Sequence, residues 1–358
     1  AKLTLTNASG EASSDILLSV TAIWHIEEIP KVPGYDELAD AYYMFGPDGS
    51  LWGAQAYSSP EPKTYIVRIR NGELVEYEEN TLRGCLAVDK SGSPALVYGV
   101  STGFMTKDYY FTRRIDRVWT EGEFLTDGKY GITPQTFFDS QNRPVIVFSR
   151  GLGFNSSDLW VAKKEGDEWE LTQVREAGPS ITYLSAELGT DDRVHLVFTC
   201  DGSLYYAWEE HSGWVTEMVK ESWTDGEGYV HSYKPLDIAL DGEENPILLF
   251  AEEESGSGYF PTTVYIRSAG QSPSEDPVYF YTTMGGGVAE GLDQVAMYDG
   301  LTVATFRDPV ESTQVLVYGN HAAWTVEDLP FATYGTELVV SAEGRLTAVG
   351  KGALGQYW

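Results

Sequence analysis

The stretch GYVHSYKP, residues 228–235, gathers the most chemistry in the fewest residues. His231 stands between Tyr229 and Tyr233, with Lys234 beside them. A histidine and a tyrosine next to a cation can share base and acid work in a β-elimination from a uronic acid, the cation neutralising the sugar carboxylate. A loop histidine stacked on a tyrosine is the plainer account of the same residues. Arg150, Arg307 and Lys351 form a second set, because each closes an apolar run (PVIVFSR, LTVATFR, LTAVGK). Cations converging from several runs suit a carboxylate or sulfate, and arginine adds a two-pronged fork. Pairing of each arginine with a nearby acid, such as Asp308, is the alternative. A third set is acidic: Glu252, Glu253 and Glu254 could offer oxygens to calcium with Asp308 or Asp201. No twelve-residue calcium loop accompanies them, and a solvated acidic loop needs no ion. No cofactor is expected, with calcium on Glu252, Glu254 and Asp308 as the alternative.

Other catalytic signatures are missing. No Gly-x-Ser-x-Gly elbow, phosphate loop or His-Glu-x-x-His pair occurs. MGGG at 284–287 is read as a loop rather than a nucleotide fingerprint, because no helical pattern follows it. His195 sits in a strand run and is read as structural; His25, His211 and His321 receive no role.

What must position these residues is a repeat. A tryptophan opens the same short phrase five times, at Trp24, Trp119, Trp169, Trp214 and Trp324. Upstream of most copies a polar turn leads into an apolar run ending in an aromatic: DKSGSPALVY, DSQNRPVIVF, TDDRVHLVF and DGEENPILLF. Each copy holds about four short β-branched and aromatic stretches between turn signals. A unit of this size cannot bury its own face and must stack on its neighbours. Seven copies can be laid out, so the expected fold is all-β: a seven-bladed β-propeller of four-stranded blades in one domain, 1–358. Residues 1–15 would form an extension. The segment 16–30, whose TAIWHIEEI has the Trp-x-x-Glu look of a last strand, would complete the final blade and close the ring. Two stacked sandwich domains are the alternative. YDELADAYY (35–43) is the best helical candidate, at one or two turns.

The repeat resembles that of bacterial extracellular β-propeller proteins, through LAVDKSGSPALVY, IALDGEENPILLF and VHLVFTCDGSLYYAWEEHSGW. The resemblance implies the fold and leaves the activity open, since such propellers serve as lectins, scaffolds, lyases and hydrolases. It also implies that a His–Tyr–cation set is one that polysaccharide lyases on propeller folds use. The sialidase Asp-box is absent. Ligands of propellers usually sit at one mouth of the channel, where the loops after each second strand lie. Tyr57, Tyr109, Phe154, Tyr229, Tyr259 and Tyr334 could stack on sugar faces there, or pack between blades.

The charge narrows the partners. Against 24 Lys and Arg stand 54 Asp and Glu, a net charge of −30. Such a surface repels phosphate backbones and acidic membranes, which argues against nucleic acid, and no apolar run reaches membrane-spanning length. The two cysteines, Cys85 and Cys200, are assigned two blades apart and are not expected to bond. The leading expectation is a secreted, periplasmic or surface-exposed protein, its signal removed, that binds a glycan or other small anionic ligand at the mouth through Arg150, Arg307, Lys351, Tyr229, Lys234 and Tyr334. The alternatives are a lyase or hydrolase acting on an acidic polysaccharide through His231 and Tyr233, and a protein–protein scaffold.

Overall fold

The computed structural model describes most of residues 30–352; outside the description lie 1–29, 36–37, 58–62, 81, 83, 104–105, 130–133, 154–155, 256–258, 269–275, 285–293, 299–300, 309–312, 321–322, 329–332, 341–345 and 353–358. The described residues form an all-β propeller of antiparallel blades. Blade one runs from Leu38–Phe45 through Leu51–Tyr57 and Lys63–Arg70 to Glu73–Asn80. Blade two is Gly84–Val88, Pro94–Gly103, Thr106–Ile115 and Glu123–Lys129; blade three is Gln135–Phe138, Pro144–Gly153, Ser156–Glu165 and Glu168–Pro179. Blade four is Ile181–Leu188, Val194–Cys200, Ser203–Glu210 and Gly213–Lys220. Blade five is Val230–Leu240, Pro246–Ser255, Tyr259–Ser268 and Asp276–Met284, and blade six is Gln294–Tyr298, Leu301–Asp308, Thr313–Asn320 and Ala323–Asp328.

The expectation of seven blades is corrected here. Six four-stranded blades form among the described residues, and the seventh repeat supplies only the hairpin Thr333–Val340 and Leu346–Gly352. Two strands do not make a blade, although Thr333–Val340 does approach the inner strands of blades six and one. The segment 16–30, expected to complete that unit, lies outside the described residues. A second correction concerns 35–43. Leu38–Phe45 is the inner strand of blade one, not a helix, and pairs residue by residue with Leu51–Tyr57 from Ala41 to Phe45. Local propensity lost to the edge that the next strand offered.

The core sits between the blades. In blades three to six the second strand carries an apolar run buried on both faces, as a strand between two packed layers must be. Its aromatic anchor, Phe148, Phe198, Phe250 or Phe306, is 2 % exposed or less. Cys85 and Cys200 are both free. Burial pushes the Cys85 thiol up to about 12, so it is a packing residue rather than a nucleophile.

The turns between first and second strands carry a second kind of link. Asp89, Asp139 and Asp241 each accept, through one carboxylate oxygen, the N–H groups two and four residues on. Next in each of the later turns comes a non-glycine residue in the left-handed region: Asn142 at φ 63°, Asp192 at 64° and Glu244 at 65°. Each uses its side chain to accept a backbone N–H from the preceding blade. Asn142 takes that of Lys90 at 2.7 Å, Asp192 that of Ser140 at 2.6 Å, and Glu244 that of Thr190 at 3.1 Å. The backbone strain is retained because the side chain earns a bond between blades. Asn142→Ala keeps the strain and removes the bond, and should lower stability by about 1–2 kcal/mol in urea unfolding. Asn142→Gly removes both and should cost less; equal losses would show that the inter-blade bond contributes nothing.

Candidate functional site

The loops that follow second strands open on the face opposite these turns, and there blade five builds a polar cluster. Its entry is a turn of the same design. Asp225 Oδ1 accepts the N–H of Glu227 at 2.8 Å and of Tyr229 at 2.9 Å, and Gly228 takes φ 90°. These bonds, the one from Tyr229 first, hold the Asp225 carboxyl below its ordinary range. The two residues before the turn, Trp223–Thr224, pair back onto the start of the inner strand, with Trp223 opposite His231. The indole therefore lies flat on the imidazole, 3.9 Å between centroids and 7° between planes.

On its other side His231 meets the second strand. Its cross-strand partner is Glu254, and its ring turns to Glu252, with Nδ1 at 3.0 Å from Oε1. The second oxygen of Glu252 accepts the Tyr265 hydroxyl at 3.0 Å. Burial, and then the Glu252 charge, push that phenol up to about 12, so Tyr265 remains a donor at ordinary pH. His231 Nε2 makes no hydrogen bond among the described residues and lies 3.9 Å from Asp225 Oδ2. The outcome is a line of fixed groups, Tyr265–Glu252–His231, with a tryptophan lid that is 47 % exposed. Chemically this is an oriented imidazole next to an aromatic platform, with Asp225 and Glu254 close by.

Of the residues singled out from sequence, only some enter this cluster. His231 and Glu252 do, and Tyr229 caps its turn. Tyr233 is 6 % exposed and packs on Phe250; its backbone ties blade five to blade four through Thr199 and Gly202. Lys234 lies on the other face of the strand, buried, with its ammonium 4.5 Å from the Tyr183 ring centroid. Tyr57 is buried in blade one, where its hydroxyl donates to Gln55 and accepts the Val32 N–H. Asp308 is buried and accepts the Tyr279 hydroxyl at 2.8 Å. Glu252, Glu254 and Asp308 do not come together, and no three His, Cys, Asp or Glu side chains among the described residues could hold a metal.

Of the cationic trio, only Arg150 has a described side chain. Arg150 is spoken for: its guanidinium forks onto Asp158 at 2.7 and 3.3 Å, lies over the Trp160 ring, and has Asp127 at 3.9 Å. Nor do Arg150 and Arg307 share a register. Arg150 stands two residues past its buried anchor Phe148, whereas Arg307 stands one past Phe306. The position of Arg150 is taken by Cys200 in blade four, Glu252 in blade five and Asp308 in blade six. Lys351 pairs in register with Tyr334 in the terminal hairpin. The side chains of Arg307, Lys351, Tyr334, Phe154 and Tyr259 lie outside the described residues.

Sequence reasoning passed over Trp223, Asp225 and Tyr265. A signal was there for two of them. DGEGY at 225–229 repeats the formula of DGEEN at 241–245, which marks a turn that folds the preceding tryptophan back onto the strand.

No protein-family model matches the chain, and no curated protein matches it. Several solved structures are similar to it. An ulvan lyase described as a new family of polysaccharide lyase superposes with a TM-score of 0.53 at 11 % identity, over 91 % of this chain and 93 % of that one. The β-propeller domain of the Trilobed protease from Pyrococcus furiosus gives 0.48 at 10 % identity, over 86 % and 94 %. Prolyl oligopeptidase B from Galerina marginata gives 0.49 at 10 %, and there this chain spans 46 % of the other. What the chain shares with the ulvan lyase is the fold alone.

Proposed function

We propose that this propeller binds a carbohydrate on the blade-five side of its mouth, with Trp223 as the stacking platform. The observation that carries the proposal is the pairing of Trp223 with His231: a half-exposed indole held rigid from behind by a histidine that is itself fixed by Glu252. Rigid aromatic rings give contact area at low entropic cost, and the carboxylates of Asp225 and Glu254 are hydrogen-bond acceptors for sugar hydroxyls. Because Asp158 already occupies Arg150, and acids dominate the cluster, a neutral glycan suits it better than a polyanion. Titration of the protein with neutral and uronate-containing oligosaccharides, followed through tryptophan fluorescence, tests this. Trp223→Ala should weaken binding by roughly 30-fold, a loss of about 2 kcal/mol, with an unchanged melting temperature. Unaltered affinity in that variant sinks the proposal.

A second reading is favoured by one further observation. Glu252 holds Nδ1 of His231 and leaves the buried Nε2 without a hydrogen bond, an arrangement that suits a base once substrate binding uncovers that nitrogen. The ulvan lyase of the same fold has also been solved with -[GlcA(1-4)Rha3S]- bound. If this chain eliminates across a uronate, ultraviolet absorbance should rise on acidic polysaccharide, and Glu252→Gln should lower the rate and shift its pH profile. Silence on every uronic-acid polymer removes this reading and leaves the binding one intact.

A further inference from the structure

Away from that mouth, on the side of the short turns, blades two and three part to leave a groove of about 490 Å³. This falls in the range of small-molecule sites. Its walls mix aromatic rings, cations and the carboxylates of Glu123 and Asp167. Phe111 and Trp169 meet edge to face at 5.4 Å and 76°, and Phe124 stands 55 % exposed at the rim. Three cations line the groove: Arg113, Arg143 and Lys164. Two of them are committed. Arg143 binds Asp139 and Glu165, and Lys164 binds Glu123 while resting over the Trp169 ring.

Arg113 is different. Its backbone is fixed on both sides, N–H to the Thr120 hydroxyl and carbonyl to the Thr120 N–H. Its half-buried guanidinium has neither an ion pair nor a hydrogen bond among the described residues. The next residue along, Arg114, is bound by Glu76 and Glu78 of blade one, so carboxylates are not lacking in this part of the molecule. In a chain with 54 acidic residues against 24 basic ones, a lining guanidinium without an acid stands out. A guanidinium takes a planar carboxylate through two parallel N–H bonds, and the exposed Phe124 face suits a ring.

We propose that this groove is a second binding site, separate from Trp223, for a ring that carries one carboxylate, which Arg113 grips while Phe124 covers the ring. A hexuronic acid and an aromatic acid share that chemistry, and the two are separable by experiment. Glucuronate and 4-hydroxybenzoate would be titrated into the full chain by ligand-observed NMR, with glucose and 4-hydroxybenzyl alcohol as the uncharged counterparts. At least one acid should bind, its counterpart should bind tenfold more weakly or not at all, and added salt should weaken the acid. Which acid binds identifies the source. Arg113→Gln should lower the affinity tenfold or more; Phe124→Ala should lower it for the ring-bearing acids while acetate, used as a third probe, is unaffected. Trp223→Ala should leave all of it unchanged, which keeps this site distinct from the mouth. The proposal is overturned if neither acid binds, or if Arg113→Gln, with its melting temperature intact, binds as the parent does.

Discussion

Arg150→Ala is expected to destabilise the protein by about 3 kcal/mol while leaving a neutral-glycan affinity untouched. Asp158 is 1 % exposed, and its main counter-charge is the guanidinium that forks onto it. Removing one partner of such a pair strands a charge in a medium that solvates it poorly, and that penalty exceeds what the pair itself adds. A companion change makes the claim sharp. Asp158→Asn in the Arg150→Ala background should recover a large part of the loss, because the stranded charge is gone. Urea unfolding of the two single variants and the double closes the cycle. Additive losses, with no recovery, would mean that Arg150 acts through its contact with Trp160 and not through Asp158.

Stability should fall as the medium turns from mildly acidic to mildly basic, and Glu187→Gln should remove much of that fall. Glu187 lies on the inner strand of blade four. Burial first, then the charges of Asp237 and Glu244, push its carboxyl up to about 8. Asp237, on the inner strand of blade five, is pushed to about 6 by burial, although the Val295 N–H and the Ser185 hydroxyl hold its charged form. Both folded-state values lie above the unfolded ones. Between the ordinary carboxylate value and about 8, the folded chain keeps a proton on Glu187 that the unfolded chain has released. The stabilisation is complete below the ordinary value and disappears as pH rises through about 8. Glu187 keeps some contact with water, so the part that Gln recovers at pH 8 is on the order of 2 kcal/mol, below what the full shift implies. Melting curves of parent and variant from pH 5 to about pH 8 read this directly. Parallel curves would remove Glu187 as the cause.

The architecture was legible because blades two to five repeat one spacing of turn, apolar run and closing aromatic, and burial between blades rewards that spacing each time. Phe148, Phe198, Phe250 and Phe306 fall where the pattern puts them. The count of blades was not legible, because a repeat in sequence does not say how many strands it can contribute: among the described residues LTAVGKG forms one strand of a two-stranded hairpin. At Leu38–Phe45, a helical period over one turn was outweighed by pairing with Leu51–Tyr57. The site was half legible. His231 was visible as a rare residue among tyrosines. Its ring partner was not, since stacking on Trp223 depends on a fold-back that only the Asp225 turn creates. For the cationic trio, what the sequence hid has a simpler reason. Counting from the ends of the runs hid a one-residue offset between Arg150 and Arg307, and Asp158 lies on the neighbouring strand, where no spacing rule announces it.

The bonds from Asn142, Asp192 and Glu244 all run the same way round the ring, each later blade gripping an amide of the earlier one. Amide exchange can therefore be read as a record of sequence in time. The Lys90 amide is shielded only while blade three is intact, that of Ser140 only while blade four is, and that of Thr190 only while blade five is. If the ring opens from one side, these three protons will be surrendered in order, and the order names the side.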